Sequence, residues 1–295
     1  MIASVDSSRS ALAGTGQNTD GQGNKRGTEA HGVAAAVNLE WGGLAYSLRR
    51  YYIDEFFTRW TETLAIGSLT LELGGHNVQK RGQFDLVRYN LRVVCLNLSV
   101  AQRPQVQADA AMLPFRAGCF EAIVCCELLE HVPDPITVLR EARRVLQPGG
   151  ILLLCAPFLY PIHADPSDYG RYTDTYWFTV LGRSGFDIVA VEKQGCFWSV
   201  VVDFVRAYVS DGIQPNGLRG RVGRRLLAPI VGWSKRIAVR WDNRVRSQAG
   251  TGAGQPFALR FTTGFGIVAR RTEAFVSEEE MRPVAGRAVD QGPRG

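Results

Sequence analysis

The 295-residue sequence predicts an α/β protein with a doubly wound, mostly parallel sheet. Three observations lead there. Short, almost wholly apolar runs recur along the chain, as strands covered on both faces require. Between them lie stretches whose apolar residues return at helical spacing. A glycine turn follows the first run, at the edge where such sheets hold ligands.

The elements follow in order. "LTLEL" (69–73) is a short apolar strand, "LRVVCLNL" (91–98) a second, "QVQAD" (105–109) a short third and "FEAIVCC" (120–126) a buried fourth. "PITVLREARRVL" (135–146) carries Ile136, Val138, Leu139, Ala142, Val145 and Leu146 at the period of a helix with a basic outer face, and Pro148-Gly149-Gly150 stops it. "ILLLCAP" (151–157) is an all-apolar strand. "TDTYWFTVLGRSG" (173–185) is a helix opened by Thr173 or Asp174 and closed by Gly185. "FDIVAVEK" (186–193) is the next strand, and "FALRFTTGFGIVARR" (257–271) the last. The stretch 38–68 carries no assigned element. Right-handed crossovers between such strands wind helices onto both faces.

Composition bounds the rest. Hydrophobic residues make up 45% and charged residues 21%, enough for a globular core. Residues 1–37 and 272–295 are poor in large apolar side chains and are expected to be disordered tails around a domain of 38–271. The N-terminus lacks the apolar core of a secretory signal, and no run is long enough to span a membrane. The six cysteines lack paired C-x-x-C spacing, so reduced, buried thiols in a cytoplasmic protein are expected, with neither disulfides nor a metal. Between 212 and 246 nine basic residues face one acid, Asp242; that segment carries +8, so the remainder sums to −2 against the overall +6. Basicity is thus confined to an insertion, 196–256, and no nucleic-acid motif accompanies it.

The run "QADAAMLPFRAGCFEAIVCCELLEHVPDPITVLREARRVLQPGGILLLCAP" (107–157) resembles the class I S-adenosylmethionine-dependent methyltransferases, in the type 11-like subgroup. Its ordered "LPF", "LEHV" and "PGG" carry the likeness. The resemblance implies a seven-stranded Rossmann-like sheet, with the basic helical insertion placed before the last strand. It also implies S-adenosylmethionine as cofactor, an adenine, a ribose diol and a zwitterionic tail to be held.

By that resemblance Glu72 is the acid of the first strand, organising the loop or touching the ligand. Gly74 and Gly75 let the ligand approach the backbone. His76 departs from the pattern and would have to tolerate a glycine-like conformation. Asn97, beside Leu98, stands where relatives keep the acid that holds the ribose. Asp109, with Ala110, would accept from the adenine amine. Cys126, Glu127 and Leu128 would border the methionine part, and His131 would cap the loop before Pro133 or take part in catalysis.

The polar stretch 156–177 leaves the fifth strand where an acceptor should sit. Its "P-x-D-Y-x-R-Y-T" pattern resembles that of methyltransferases acting on glycans and secondary metabolites. His163 or Asp168 is the candidate base; Tyr169, Arg171 and Tyr172 are the candidate substrate contacts. Asp168 and Arg171 also read as a simple brace. The function expected is methyl transfer to a small-molecule or glycan acceptor. The alternative is a methyltransferase fold with weakened or lost activity that serves as a binding protein, on account of His76 and Asn97. A nicotinamide dehydrogenase is excluded by the missing G-x-G-x-x-G turn. For the basic insertion, residues 218–246, the readings are peripheral contact with anionic membrane, a lid, a dimer surface, or helices that cap the sheet.

Overall fold

A computed structural model describes residues 36–41, 43–78, 82–163, 167–213, 218–248 and 256–273. The expected tails lie largely outside them. Within the described residues, seven strands form one sheet: β1 (Leu69–Leu73), β2 (Arg92–Asn97), β3 (Val106–Gln107), β4 (Phe120–Cys126), β5 (Leu146–Pro157), β6 (Phe186–Gln194) and β7 (Gly264–Arg271). Their order is β3-β2-β1-β4-β5-β7-β6. β1 pairs in parallel with β2 and β4, and β4 with β5, while β7 runs antiparallel between β5 and β6. The switch in strand order falls at β1 and β4, so the carboxyl ends of these strands open onto one crevice.

Period-two alternation divides the core between the two faces. Ile123, Cys125, Leu152 and Leu154 point to one side, against α2 (Pro135–Val145) and α3 (Asp174–Arg183). Val124, Leu153 and Cys155 point to the other, against Ile53, Phe56 and Phe57 of α1 (Leu48–Thr61). α2 starts where Asp134 accepts from the amides of Ile136 and Thr137, and Thr173 caps α3 through the amide of Tyr176. None of the six cysteines forms a disulfide.

Three features differ from the sequence reading. α1 had no assigned element, because two of its buried side chains, Arg49 and Asp54, interrupt the apolar period. Pro148-Gly149-Gly150 ends no helix. α2 already stops at Val145, and the residues after Leu146 bulge from the strand, where the register moves from Phe120↔Leu146 to Ala122↔Ile151. The last strand begins only at Gly264; Phe257–Arg260 is a short 3-10 turn.

The insertion is helical, as α4 (Phe197–Ala207) and the 31-residue α5 (Leu218–Gln248). It is pinned to the domain by two buried acids that cap helices other than their own. Asp203 of α4 accepts from the amides of Leu48 and Arg49 at 2.9 and 3.0 Å, at the start of α1. Asp242 of α5 accepts from Cys196 and Ser199 at 2.8 and 3.1 Å, at the start of α4. Each carboxylate meets the positive end of a helix dipole. Lys235, counted among the basic surface residues, is buried; its ammonium donates to the carbonyls of Gly43 and Tyr46 at 2.7 and 2.6 Å. Among the described residues no helix is long and apolar enough to cross a membrane.

Candidate active site

The crevice holds a cavity of about 1110 Å³ at the carboxyl ends of β1, β2 and β4. That is the upper end for one small ligand and leaves room for two. Glu72, Gly74, Gly75, Asn97, Leu98, Asp109, Ala110, Cys126, Glu127 and Leu128 all line it, as does His163. Asp168, Tyr169, Arg171 and Tyr172 do not.

The glycine turn is shaped by two different constraints. Gly74 has φ +72°, and a Cβ there would stand 3.1 Å from the side chain of Leu128. At Gly75 a Cβ would collide with the Glu72 carboxyl and the Cys95 sulfur, each 2.6 Å away. Left-handed backbone is therefore needed at Gly74 and absence of a side chain at Gly75. His76 is not in the left-handed region. The strain expected of it does not exist, because Gly74 absorbs the turn two residues earlier.

Asn97 is used twice over. Its amide donates to the carbonyl of Gly75 at 2.9 Å, and its side-chain oxygen accepts from the amide of Ser99 at 2.9 Å. One N–H and one lone pair remain for a diol. Asp109 accepts from the amide of Ala111 at 2.8 Å, a turn-forming bond that occupies one carboxylate oxygen.

Another part of the cavity wall, at Glu127, is backed by buried charge. Glu127 sits at φ +51°, an uncommon conformation for a residue with a side chain. The fully buried Arg49 holds it there, Nη2 to Oε1 at 2.5 Å, while another nitrogen of Arg49 donates to Gln194. Its neighbour Arg50 lines the cavity, 3.8 Å from the Cys126 sulfur, and that thiol is pushed up to about 12 by burial. Arg49 and Arg50 escaped the sequence reading because α1 did.

Glu130 is 1% exposed and neither of its oxygens has a hydrogen-bond partner among the described residues. Burial, with Glu127 nearby, raises its carboxyl to about 8. Beside it the His131 Nδ1 donates to the carbonyl of Ser167 at 2.6 Å, and the His131 ring meets that of His163 at 5.0 Å. Glu130, His131 and His163 bring their ligand atoms within 4.8 Å of one another. Nothing local in the sequence links 130 and 131 to 163.

In the loop after β5, Asp168 is 4% exposed and forms a two-pronged ion pair with Arg171, at 2.5 and 2.6 Å. It also accepts from the His163 amide at 3.0 Å. These bonds hold its carboxyl at about 2. A carboxylate so well satisfied has little affinity for a proton, and Asp168 is not among the residues lining the cavity; its bonds are those of a brace. Tyr172 stacks on Tyr176 at 4.3 Å, and Tyr169 is 56% exposed, its amide donating to the Glu130 carbonyl. The His163 Nδ1 faces the carbonyl of Pro161 at 3.2 Å. A carbonyl can only accept, so Nδ1 carries the proton and Nε2 a lone pair.

Residues 72–154 match the sequence profile of the family described as "Methyltransferase domain". Among curated proteins, the Ubiquinone biosynthesis O-methyltransferase of Xanthomonas campestris pv. campestris is 40% identical over 63 residues, 21% of this chain and 26% of that protein. That of Psychrobacter cryohalolentis is 27% identical over 161 residues, 50% of this chain and 57% of that protein. The chain thus spans between about a quarter and somewhat over half the length of these relatives. Among solved structures, a putative sarcosine dimethylglycine methyltransferase from Galdieria sulphuraria aligns over 76% of this chain and 85% of its own at 14% identity, with a TM-score of 0.48. The family's cofactor is S-adenosylmethionine, and the cavity suits it. Apolar Leu98, Ala110 and Leu128 line it, the glycine turn leaves backbone uncovered by side chains at Gly74 and Gly75, and Arg50 brings a positive charge to it. By matched profile and strand order together, residues 72–154 match a methyltransferase domain within a doubly wound sheet, similar to the class I, S-adenosylmethionine-dependent type.

Proposed function

We propose that the protein transfers a methyl group from S-adenosylmethionine to a small-molecule acceptor. The observation that carries this reading is the single cavity in which all ten motif residues converge with Arg50 and His163. The cofactor supplies an electrophilic methyl group. The chain's own residues bind, orient and take a proton. In this reading Gly74 and Gly75 admit the ligand tail, Arg50 neutralises its carboxylate, and Asn97 and Asp109 hold ribose and adenine. His163 Nε2 accepts the proton of the attacking group, its ring oriented through Nδ1 by the Pro161 carbonyl.

The names of the relatives, O-methyltransferases, favour an oxygen nucleophile. A small acceptor is favoured over a glycan, because the tyrosines and arginine that suggested sugar or anion binding lie outside the cavity. Peripheral contact of 218–246 with anionic lipid is a separate component. The reading of a fold with weakened activity draws on one observation, that both ends of Asn97 are already engaged.

Calorimetry with S-adenosylmethionine and S-adenosylhomocysteine on the full chain tests the proposal. Micromolar binding is expected, with Gly74→Val weakening it on the order of a hundredfold, since a β-branched residue at positive φ displaces the turn. Binding by the wild type without turnover of any hydroxylated acceptor would favour the binding-protein alternative. No heat with either ligand would remove the cofactor and, with it, the function.

A further inference from the structure

Exposed large apolar side chains concentrate on α4 and α5. On α5, Val222, Leu226, Ile230 and Trp233 recur every three or four residues and form one stripe. On α4, Trp198, Val201 and Val205 form another. The two adjoin where the rings of Trp198 and Trp241 meet at 5.9 Å. From Arg221 to Ile230 no side chain is fully buried, and Val222, Arg225, Leu226 and Ile230 are exposed.

Charge accompanies the stripe. Arg225, Arg240 and Arg244 are exposed on the same helix, and its one acid, Asp242, is buried as a cap. Arg236 differs, being paired with Glu40. An apolar stripe edged by arginines and free of exposed acids fits a surface that is oily at depth and negative at its rim. A second copy fits less well, because a two-fold contact would set the same arginines against one another.

We propose that the outer face of α4 and α5 docks on an anionic lipid bilayer. Leu226, Ile230 and Trp233 enter the boundary between headgroups and acyl chains, and Arg225, Arg240 and Arg244 lie among the phosphates. α4 also carries Arg206 and Ala207 of the cavity wall, so a docked enzyme holds its cavity close to the lipid. The docking extends the lipid-contact component of the proposed function and does not depend on methyl transfer.

Sedimentation of the full chain with vesicles of equimolar phosphatidylcholine and phosphatidylglycerol tests it. Binding at low salt is expected, weakened by added salt and much weaker with pure phosphatidylcholine. Each arginine near an anionic surface contributes roughly fivefold, so the triple variant Arg225→Gln, Arg240→Gln, Arg244→Gln should bind about a hundredfold less. Leu226→Asp with Ile230→Asp should abolish binding. Both variants change exposed residues only, and unchanged circular dichroism and S-adenosylhomocysteine affinity identify them as folded. Wild-type protein that stays in the supernatant at low salt overturns the proposal, as do variants that sediment like wild type. Equal binding to pure phosphatidylcholine overturns the role of the arginines. A stable dimer by light scattering, dispersed by the aspartate variant and without vesicle binding, would assign the face to a second copy instead.

Discussion

The glycine turn with Asn97 and the wall made by Glu127, backed by the buried Arg49 and Glu130, belong to one cavity, and they are held by different forces. The turn is set by backbone conformation and neutral hydrogen bonds of 2.9 Å. The wall is set by charges taken out of water, one pair closed at 2.5 Å and one carboxyl with no hydrogen-bond partner among the described residues. Neutral bonds contribute about 1 kcal/mol each, whereas breaking a buried pair costs several. Mutations on the wall should therefore act mainly on stability, and mutations on the turn mainly on ligand affinity.

The largest effect is expected at Arg49. Arg49→Leu leaves Glu127 in its left-handed conformation without its counter-charge and should lower stability by about 3–5 kcal/mol, read as a fall in the urea midpoint. A loss no larger than that of an exposed arginine would mean that the backbone alone holds Glu127, and the contrast between turn and wall would fail.

Glu130 should act in the opposite direction. Its carboxyl is raised from 4.5 to about 8 in the folded protein. Between those values the unfolded chain releases a proton that the folded chain keeps, so stability falls as pH rises through the window. Glu130→Gln removes that slope. It should stabilise the protein on the order of 3 kcal/mol at the alkaline end of the window, with little change at the acid end. Denaturation curves at the two ends check this; parallel pH profiles for variant and wild type would show that Glu130 is ionised in the fold.

The smallest effect sharpens the other side of the comparison. A carboxylate at position 97 looks like a restoration of the family's ribose acid. In this structure it would instead set an oxygen against the Gly75 carbonyl that the amide now binds at 2.9 Å. Asn97→Asp should leave stability nearly unchanged and weaken S-adenosylhomocysteine binding by about 1 kcal/mol, roughly fivefold in calorimetry. Tighter binding would mean that the diol, and not the loop, is what position 97 serves.

Much of this molecule was legible in its residue order. The boundaries of β1 and β4 follow from short apolar runs, α2 from its period, and the positions that line the cavity from the short stretches that follow β1, β2, β3 and β4. These are local properties: side-chain alternation, turn chemistry and capping act over a few residues, so a linear pattern contains them. What only the tertiary structure decided is where distant charges meet. Arg49 and Glu127 are separated by 78 residues, Asp203 caps a helix that begins 155 residues earlier, and Lys235 is buried against carbonyls near residue 45. A charged side chain reads as surface until a partner far along the chain makes its burial tolerable. For that reason α1 was hidden in the sequence, Lys235 was grouped with the other basic residues of the insertion, and Asp168 read equally as a base and as a brace.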